Sequence, residues 1–137
     1  MQEIWKDIPN YEGLYQISNK GRVKNTKTNK ILSTYLSSYK NDNHTKYYKV
    51  DLSKNKKKKK YYIHRLMAIT FLNLNSDSKF QVDHKNDNSF DNNINNLQIL
   101  TQEQNLKKQM ELMKKNIDLY KNNIIKNMFL WEYKIEK

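Results

Sequence analysis

Asp83 and His84 stand side by side at the end of the run Phe80-Gln81-Val82, and two asparagines follow, Asn96 thirteen positions after Asp83 and then Asn105. A carboxylate is a hard oxygen ligand for a divalent cation, and a neutral imidazole can take a proton from water. Adjacent side chains on a strand diverge, so one of the pair could hold a metal while the other faces a substrate water. Histidines next to aspartates are common, however. The residue types alone leave a catalytic and a purely structural reading of the pair open.

Positioning such a set takes a strand, a polar loop, a second strand and a helix. Phe80–His84 has the character of a short strand, Asn86 to Asn96 is an asparagine-rich loop, and Leu97–Thr101 is a second short strand. Thr101 is a good N-cap with Gln104 at the capping-box position, so a helix starts there and Asn105 lies one turn into it, able to return towards Asp83. Leu106, Met110, Met113, Ile117, Tyr120 and Ile124 then form a heptad-like stripe. The reading preferred is that this stripe docks onto its own domain, which makes a monomer the expectation over a homodimer through the 106–124 helix.

Upstream, Arg65–Asn73 is expected to be an apolar helix. Ile4–Ile8, Leu14–Ser18, Arg22–Lys24, Ile31–Leu36 and Tyr47–Leu52 are strand candidates, and Gly13 and Gly21 fall in the gaps between them, where a positive φ is often needed. Tyr61–Ile63 can pair with Tyr47–Leu52 across a loop Ser53–Lys60, which puts Lys56 to Lys60 at a hairpin tip. That lysine run is open to three readings: a solvated loop, a nuclear-import signal or a contact with a DNA backbone. The tyrosines Tyr35, Tyr39, Tyr47, Tyr48, Tyr61 and Tyr62 suit sheet packing better than base stacking. His44, beside Asn41-Asp42-Asn43, is expected to be exposed and uninvolved. His64 is expected to be a buried, hydrogen-bonded strand-end residue, and Arg65 to contact either a phosphate or a carboxylate such as Asp83 or Asp87.

The chain of 137 residues carries a formal net charge of +12, from 26 Lys and Arg against 14 Asp and Glu. It has no cysteine, which excludes disulfides and thiolate metal sites, and only three histidines, too few for a histidine cage. Its longest apolar run, Leu66 to Leu72, is far short of the ~20 residues that span a bilayer. The expectation is an intracellular, soluble protein, in cytoplasm or nucleus, without a membrane partner. Residues 1–60 hold 15 basic and 5 acidic residues, residues 61–105 hold 3 and 5, and residues 106–137 hold 8 and 4. Basic flanks suit phosphate contacts, and the acidic centre suits a divalent ion. Lysine and asparagine both have A/T-rich codons, so base composition accounts for some of this charge without any polyanion.

The set Val82-Asp83-His84, Asn92, Asn96-Leu97, Thr101 and Asn105 resembles the HNH endonuclease motif in its Asn-terminated variant. Ile63-His64-Arg65-Leu66-Met67-Ala68-Ile69-Thr70-Phe71-Leu72 is similar to the helix that leads into that motif. Further upstream, Glu3-Ile4-Trp5-Lys6-Asp7-Ile8, Tyr11-Glu12-Gly13-Leu14-Tyr15-Gln16-Ile17-Ser18 and Gly21-Arg22-Val23-Lys24 resemble the nuclease-associated modular domain that precedes HNH cores in homing endonucleases.

The resemblance implies an α+β fold: a β-rich N-terminal module over 1–55, a ββα-metal core over 56–106, and a C-terminal helix and tail over 107–137. It implies a homing-type DNA endonuclease, nicking double-stranded DNA to leave 5′-phosphate and 3′-hydroxyl ends. A non-catalytic DNA-binding or regulatory protein that keeps the fold is the alternative. His84 would be the general base, Asn96 would orient the loop and the His84 ring, and Asp83 and Asn105 would hold one divalent ion, Mg²⁺ with Mn²⁺ as the substitute. Arg22, Lys24, Lys56, Lys57, Lys58 and Arg65 would meet DNA. The sequence departs from the pattern in Lys85-Asn86-Asp87-Asn88, which lacks the usual Asp-Gly turn, and in Ile99, where an aromatic is common.

Overall fold

The computed structural model describes residues 1–38 and 44–135. Tyr39 and the Asn41–Asn43 loop lie outside the described residues, while His44 is exposed. The chain divides into two compact units, residues 1–100 and 101–137.

The first unit is built from three small antiparallel sheets around one helix. Strands β1 (Trp5–Asp7), β2 (Tyr15–Ser18) and β3 (Val23–Asn25) form the first, in that order, and β4 (Tyr35–Leu36), β5 (Tyr48–Lys54) and β6 (Lys57–Tyr62) form the second. Helix α1 (Ile63–Phe71) follows β6 directly, and β7 (Gln81–His84) pairs with β8 (Leu97–Leu100) in a two-stranded third sheet. Ile63, Leu66, Met67 and Thr70 recur at helical spacing and are buried along one face of α1. Ile63, Leu66 and Met67 meet Ile17 and Val23 of the first sheet, Val50 and Leu52 of the second and Leu97 of β8 in one buried cluster. The boundary expected at 55/56 falls in the β5–β6 turn, and that cluster draws side chains from both sides of it.

Turns use the residues that tolerate left-handed backbone. Gly13 and Gly21 have φ of +75° and +85°. Asn73, at φ +55°, closes α1 so that Leu74 returns its N–H to the carbonyl of Ala68 at 3.1 Å. Two expectations are corrected here. Lys57 to Lys60 are not a hairpin tip: β6 begins at Lys57, and only Asn55 and Lys56 (φ +52° and +62°) make the two-residue turn. The stretch Ile31–Leu36 is a strand only at Tyr35–Leu36, with Ile31 bridging to Lys24.

The second unit is one helix, α2 (Gln102–Ile135), about 50 Å long at 1.5 Å per residue. Its capping box forms: the Thr101 N–H donates to Gln104 Oε1 at 2.9 Å, and the Gln104 N–H donates to Thr101 Oγ1 at 3.1 Å. The stripe from Leu106 to Ile124 is exposed, Met113 at 63% and Tyr120 at 68%. Among the described residues, no helix is long and apolar enough to cross a membrane.

Candidate active site

Strands β7 and β8 pair Asp83 with Gln98 and His84 with Leu97. Pairing fixes which groups can reach each carboxylate and ring. Gln98, directly across from Asp83, donates its amide N–H to Asp83 Oδ2 at 2.8 Å and so orients a half-buried carboxylate. His84 points the other way and is buried, 6% exposed.

The His84 ring is held on one edge and packed on its face. Its Nε2 lies 2.8 Å from Asn92 Oδ1. An amide oxygen can only accept, so Nε2 carries the proton and Nδ1 keeps the imidazole lone pair. Tyr47 stacks on the ring at 6.0 Å between centroids, and the His64 ring lies 5.2 Å away.

Asn96 is expected to hold both the loop and the ring, and the structure divides those tasks. Its two amide N–H groups go to Asn86 Oδ1 and the carbonyl of Asp91, and its Oδ1 accepts from the Asn86 N–H. With both donors engaged in the loop, Asn96 acts on backbone shape, and Asn92 is the residue on the ring. The loop between β7 and β8 supplies its own left-handed residue at Asp87, φ +61°, where the usual glycine is missing. Asp91 braces it further: hydrogen bonds from the Asn93 side chain and backbone, then from Asn86, hold its carboxyl below the ordinary range.

His64 departs from its expected setting. It is the second residue of α1 rather than a strand end, and its buried Nδ1 has no hydrogen-bond partner. Burial first, then the neighbouring His84 and Arg65, push its pKa down to about 3. The ring is therefore neutral and packs as an aromatic among Tyr47, Tyr62 and His84. Arg65 does not pair with Asp83 or Asp87. Its guanidinium donates to the carbonyls of Phe80 at 2.7 Å and Ser78 at 3.1 Å, tying α1 to the chain that enters β7. A cleft of about 320 Å³ lined by Tyr47, Tyr62, His64, Arg65, Gln81 and Val82 opens here.

The expected DNA-facing cations are distributed over the unit. Arg22 makes a two-bond ion pair with Glu3, at 2.8 and 2.9 Å, and it and Lys24 lie over the Trp5 ring. Lys56 is in the hairpin turn, and Lys57 and Lys58 are on opposite faces of β6. Asn105 belongs to the second unit, where its N–H donates to the Thr101 carbonyl at 3.0 Å.

Sequence reasoning quoted Asn92 without giving it a task, read Tyr47 as sheet packing, and missed Gln98. Gln98 was findable, since an antiparallel pair joined through the Asn86–Asn96 loop sets the residue opposite Asp83. Tyr47 comes from a distant loop and left no local signal. Among the described residues, no three His, Cys, Asp or Glu side chains cluster into a metal cage. A metal here would be held by few protein oxygens, as suits an ion that keeps several waters.

Residues 3–67 match the model of the NUMOD4 motif, and residues 61–107 match that of the HNH endonuclease. The chain is 38% identical over 106 residues to DNA endonuclease I-HmuI of Bacillus phage SP01, covering 77% of this chain and 57% of that enzyme. An uncharacterized HNH endonuclease of Acanthamoeba polyphaga mimivirus is 39% identical over 95 residues, covering 69% of this chain and 26% of the relative. The solved structure of the HNH homing endonuclease I-HmuI, which concerns DNA binding and cleavage by that enzyme, is similar with a TM-score of 0.68 at 34% identity, over 86% of this chain and 66% of that one. The chain thus spans little more than half the length of the phage enzyme.

Proposed function

Since the chain joins an NUMOD4 motif to an HNH endonuclease domain and so belongs with the HNH endonucleases, we propose that it hydrolyses phosphodiester bonds in double-stranded DNA with the help of a divalent ion. The observation that carries this reading is the His84 ring fixed by Asn92 in the tautomer that leaves Nδ1 basic, next in sequence to an oriented carboxylate at Asp83.

His84 Nδ1 takes the proton from the attacking water. Asn92 and the Tyr47 and His64 rings hold the imidazole in place while it does so, and Asn96 keeps the loop that carries Asn92 in shape. Asp83 and, by its place in the motif, Asn105 offer a carboxylate and an amide oxygen, a hard donor set that fits Mg²⁺, with Mn²⁺ as the substitute. A bound ion would supply positive charge to the scissile phosphate and the leaving 3′-oxygen. The ends left are 5′-phosphate and 3′-hydroxyl. One such site per chain suits a nick in one strand by a monomer.

A supercoiled plasmid tests this directly. Wild type with Mg²⁺ or Mn²⁺ should convert it to the open circle, EDTA should stop the reaction, and His84→Ala and Asp83→Ala should abolish it. Binding without cleavage under every metal condition overturns the enzyme reading in favour of a DNA-binding protein. Cleavage by His84→Ala at the wild-type rate removes His84 as the base.

A further inference from the structure

The turn between β2 and β3, in the NUMOD4 motif, lies against the residue that holds His84. Gly21 has φ +85°, and a Cβ there would sit 2.9 Å from the Asn92 Cβ and 3.4 Å from the Asn92 carbonyl oxygen. A Cβ at that distance forces a shift, and Asn92 is its nearest neighbour, with Ile63 Cγ2 next at 3.4 Å. Two residues beyond Asn92, the Ile94 N–H donates to the carbonyl of Asn19 at 2.9 Å. The turn is itself pinned. Asn19 is 5% exposed, gives its N–H to the Ile4 carbonyl at 3.0 Å, accepts the Ile4 N–H on Oδ1 at 3.0 Å, and donates Nδ2 to the Gln2 carbonyl at 2.8 Å. Ser18 is fully buried, and its Oγ accepts from the N–H groups of Lys20 and Arg22 at 3.2 and 3.3 Å. A turn held by these hydrogen bonds therefore packs against the Cβ and backbone of Asn92.

We infer that the Asn19–Gly21 turn positions the His84 ring through Asn92, Gly21 by close approach and Asn19 by its hydrogen bond to Ile94. The N-terminal motif is then part of the catalytic framework. This rests on the reading of His84 as the base.

The chain holds a matched control. Gly13 has φ +75°, and a Cβ there would meet nothing within 4 Å. Gly13→Ala and Gly21→Ala thus share the backbone strain, and only the second pushes on Asn92. Three quantities are measured for each: the single-turnover nicking rate at saturating plasmid with Mg²⁺, the affinity for a labelled duplex in EDTA, and the ¹³C–¹H ring resonance of His84, assigned from its loss in His84→Ala. Gly21→Ala should cut roughly 10–100-fold more slowly, the scale set by an ångström of misplacement. It should bind DNA within about twofold of wild type and show a displaced His84 resonance, while Gly13→Ala matches wild type in all three.

Equal losses in the two variants, or a wild-type rate and resonance in Gly21→Ala, overturn the proposal. If Gly21→Ala loses its cooperative melt, Ser18→Ala decides the matter, because it loosens the turn and adds no atom. A slower nick with a displaced resonance supports the positioning role, and no change in either rejects it. If wild type does not nick at all, the nuclease reading has failed on its own, and the ring resonance alone judges the turn.

Discussion

His84 Nε2 and Asn92 Oδ1 lie 2.8 Å apart in a buried contact, eight residues apart along one loop. Tyr47 stacks on the same imidazole, and the His64 ring lies tilted beside it at 5.2 Å between centroids. The ring that would take a proton is thus fixed in rotation and in tautomer before any substrate arrives.

Removing that partner should cost rate more than affinity. Asn92→Ala removes the hydrogen bond at Nε2 that sets the tautomer of the imidazole and holds its edge. Groups that orient a reacting residue typically contribute about 10–100-fold to activity. The expected result is a loss of that size in the single-turnover nicking rate, with duplex affinity in EDTA unchanged. A rate within twofold of wild type contradicts the orienting role.

His64 sets a pH dependence of stability. Its pKa is near 3 in the folded chain, against about 6.5 in the unfolded one. Below pH 6.5 the unfolded chain takes up a proton that the folded chain refuses, so this residue lowers stability as pH falls from 6.5 towards 3. Above pH 7 its slope fades towards zero. Between pH 7.5 and 5.5 wild type should lose about 1.4 kcal/mol through this site, a loss absent in His64→Phe. Urea unfolding of both proteins at the two pH values measures the difference, and parallel changes would falsify the assignment.

Asn96 offers a test of the loop apart from the ring. Asn96→Ala removes three hydrogen bonds and leaves the Asp91 carbonyl and the Asn86 groups to find other partners. Asn86 is exposed and Asp91 half-buried, so water can replace part of what is lost, and at about 0.5–1.5 kcal/mol per net hydrogen bond the unfolding free energy should drop by roughly 1–3 kcal/mol. Asn95→Ala, on an exposed neighbour, should stay within about 0.5 kcal/mol of wild type. Denaturant melts of the pair make the comparison.

Local chemistry was legible in the sequence where one short segment determines it. Thr101 and Gln104 form the capping box that their types and spacing predict, and the loop after His84 turns through Asp87 because aspartate tolerates φ +61°. The strand carrying Asp83 and His84 likewise follows from its alternation. What was illegible depends on distant segments. The lysine run lies in a strand because Asn55 and Lys56 accept a left-handed turn, which lets β5 and β6 pair over six positions. Asn86, Asn92 and Asn96 are chemically alike, so composition could not say which one would reach the ring. Arg65 pairs with carbonyls of a loop 13 and 15 residues away, a pairing that no charge pattern records.

Strand alternation divides the lysines of β6 between two surfaces. Lys59 pairs with Leu52 and shares a face with Lys57 and Tyr61, on the side of the core. Lys58 and Lys60 share the other face with Tyr62, whose ring touches Tyr47 and His64 and so lies one ring away from His84. If the His84 base reading holds and DNA lies along this face, Lys58 and Lys60 are the β6 lysines placed to meet its backbone. Each lost phosphate contact lowers the slope of log K against log salt by about 0.9. Lys58→Ala with Lys60→Ala should reduce that slope by roughly 1.8 and weaken binding across sequences, whereas Lys57→Ala with Lys59→Ala should change it by much less. Anisotropy titrations of a labelled duplex across a salt series separate the two pairs, and equal effects would show that the lysines act only as diffuse charge.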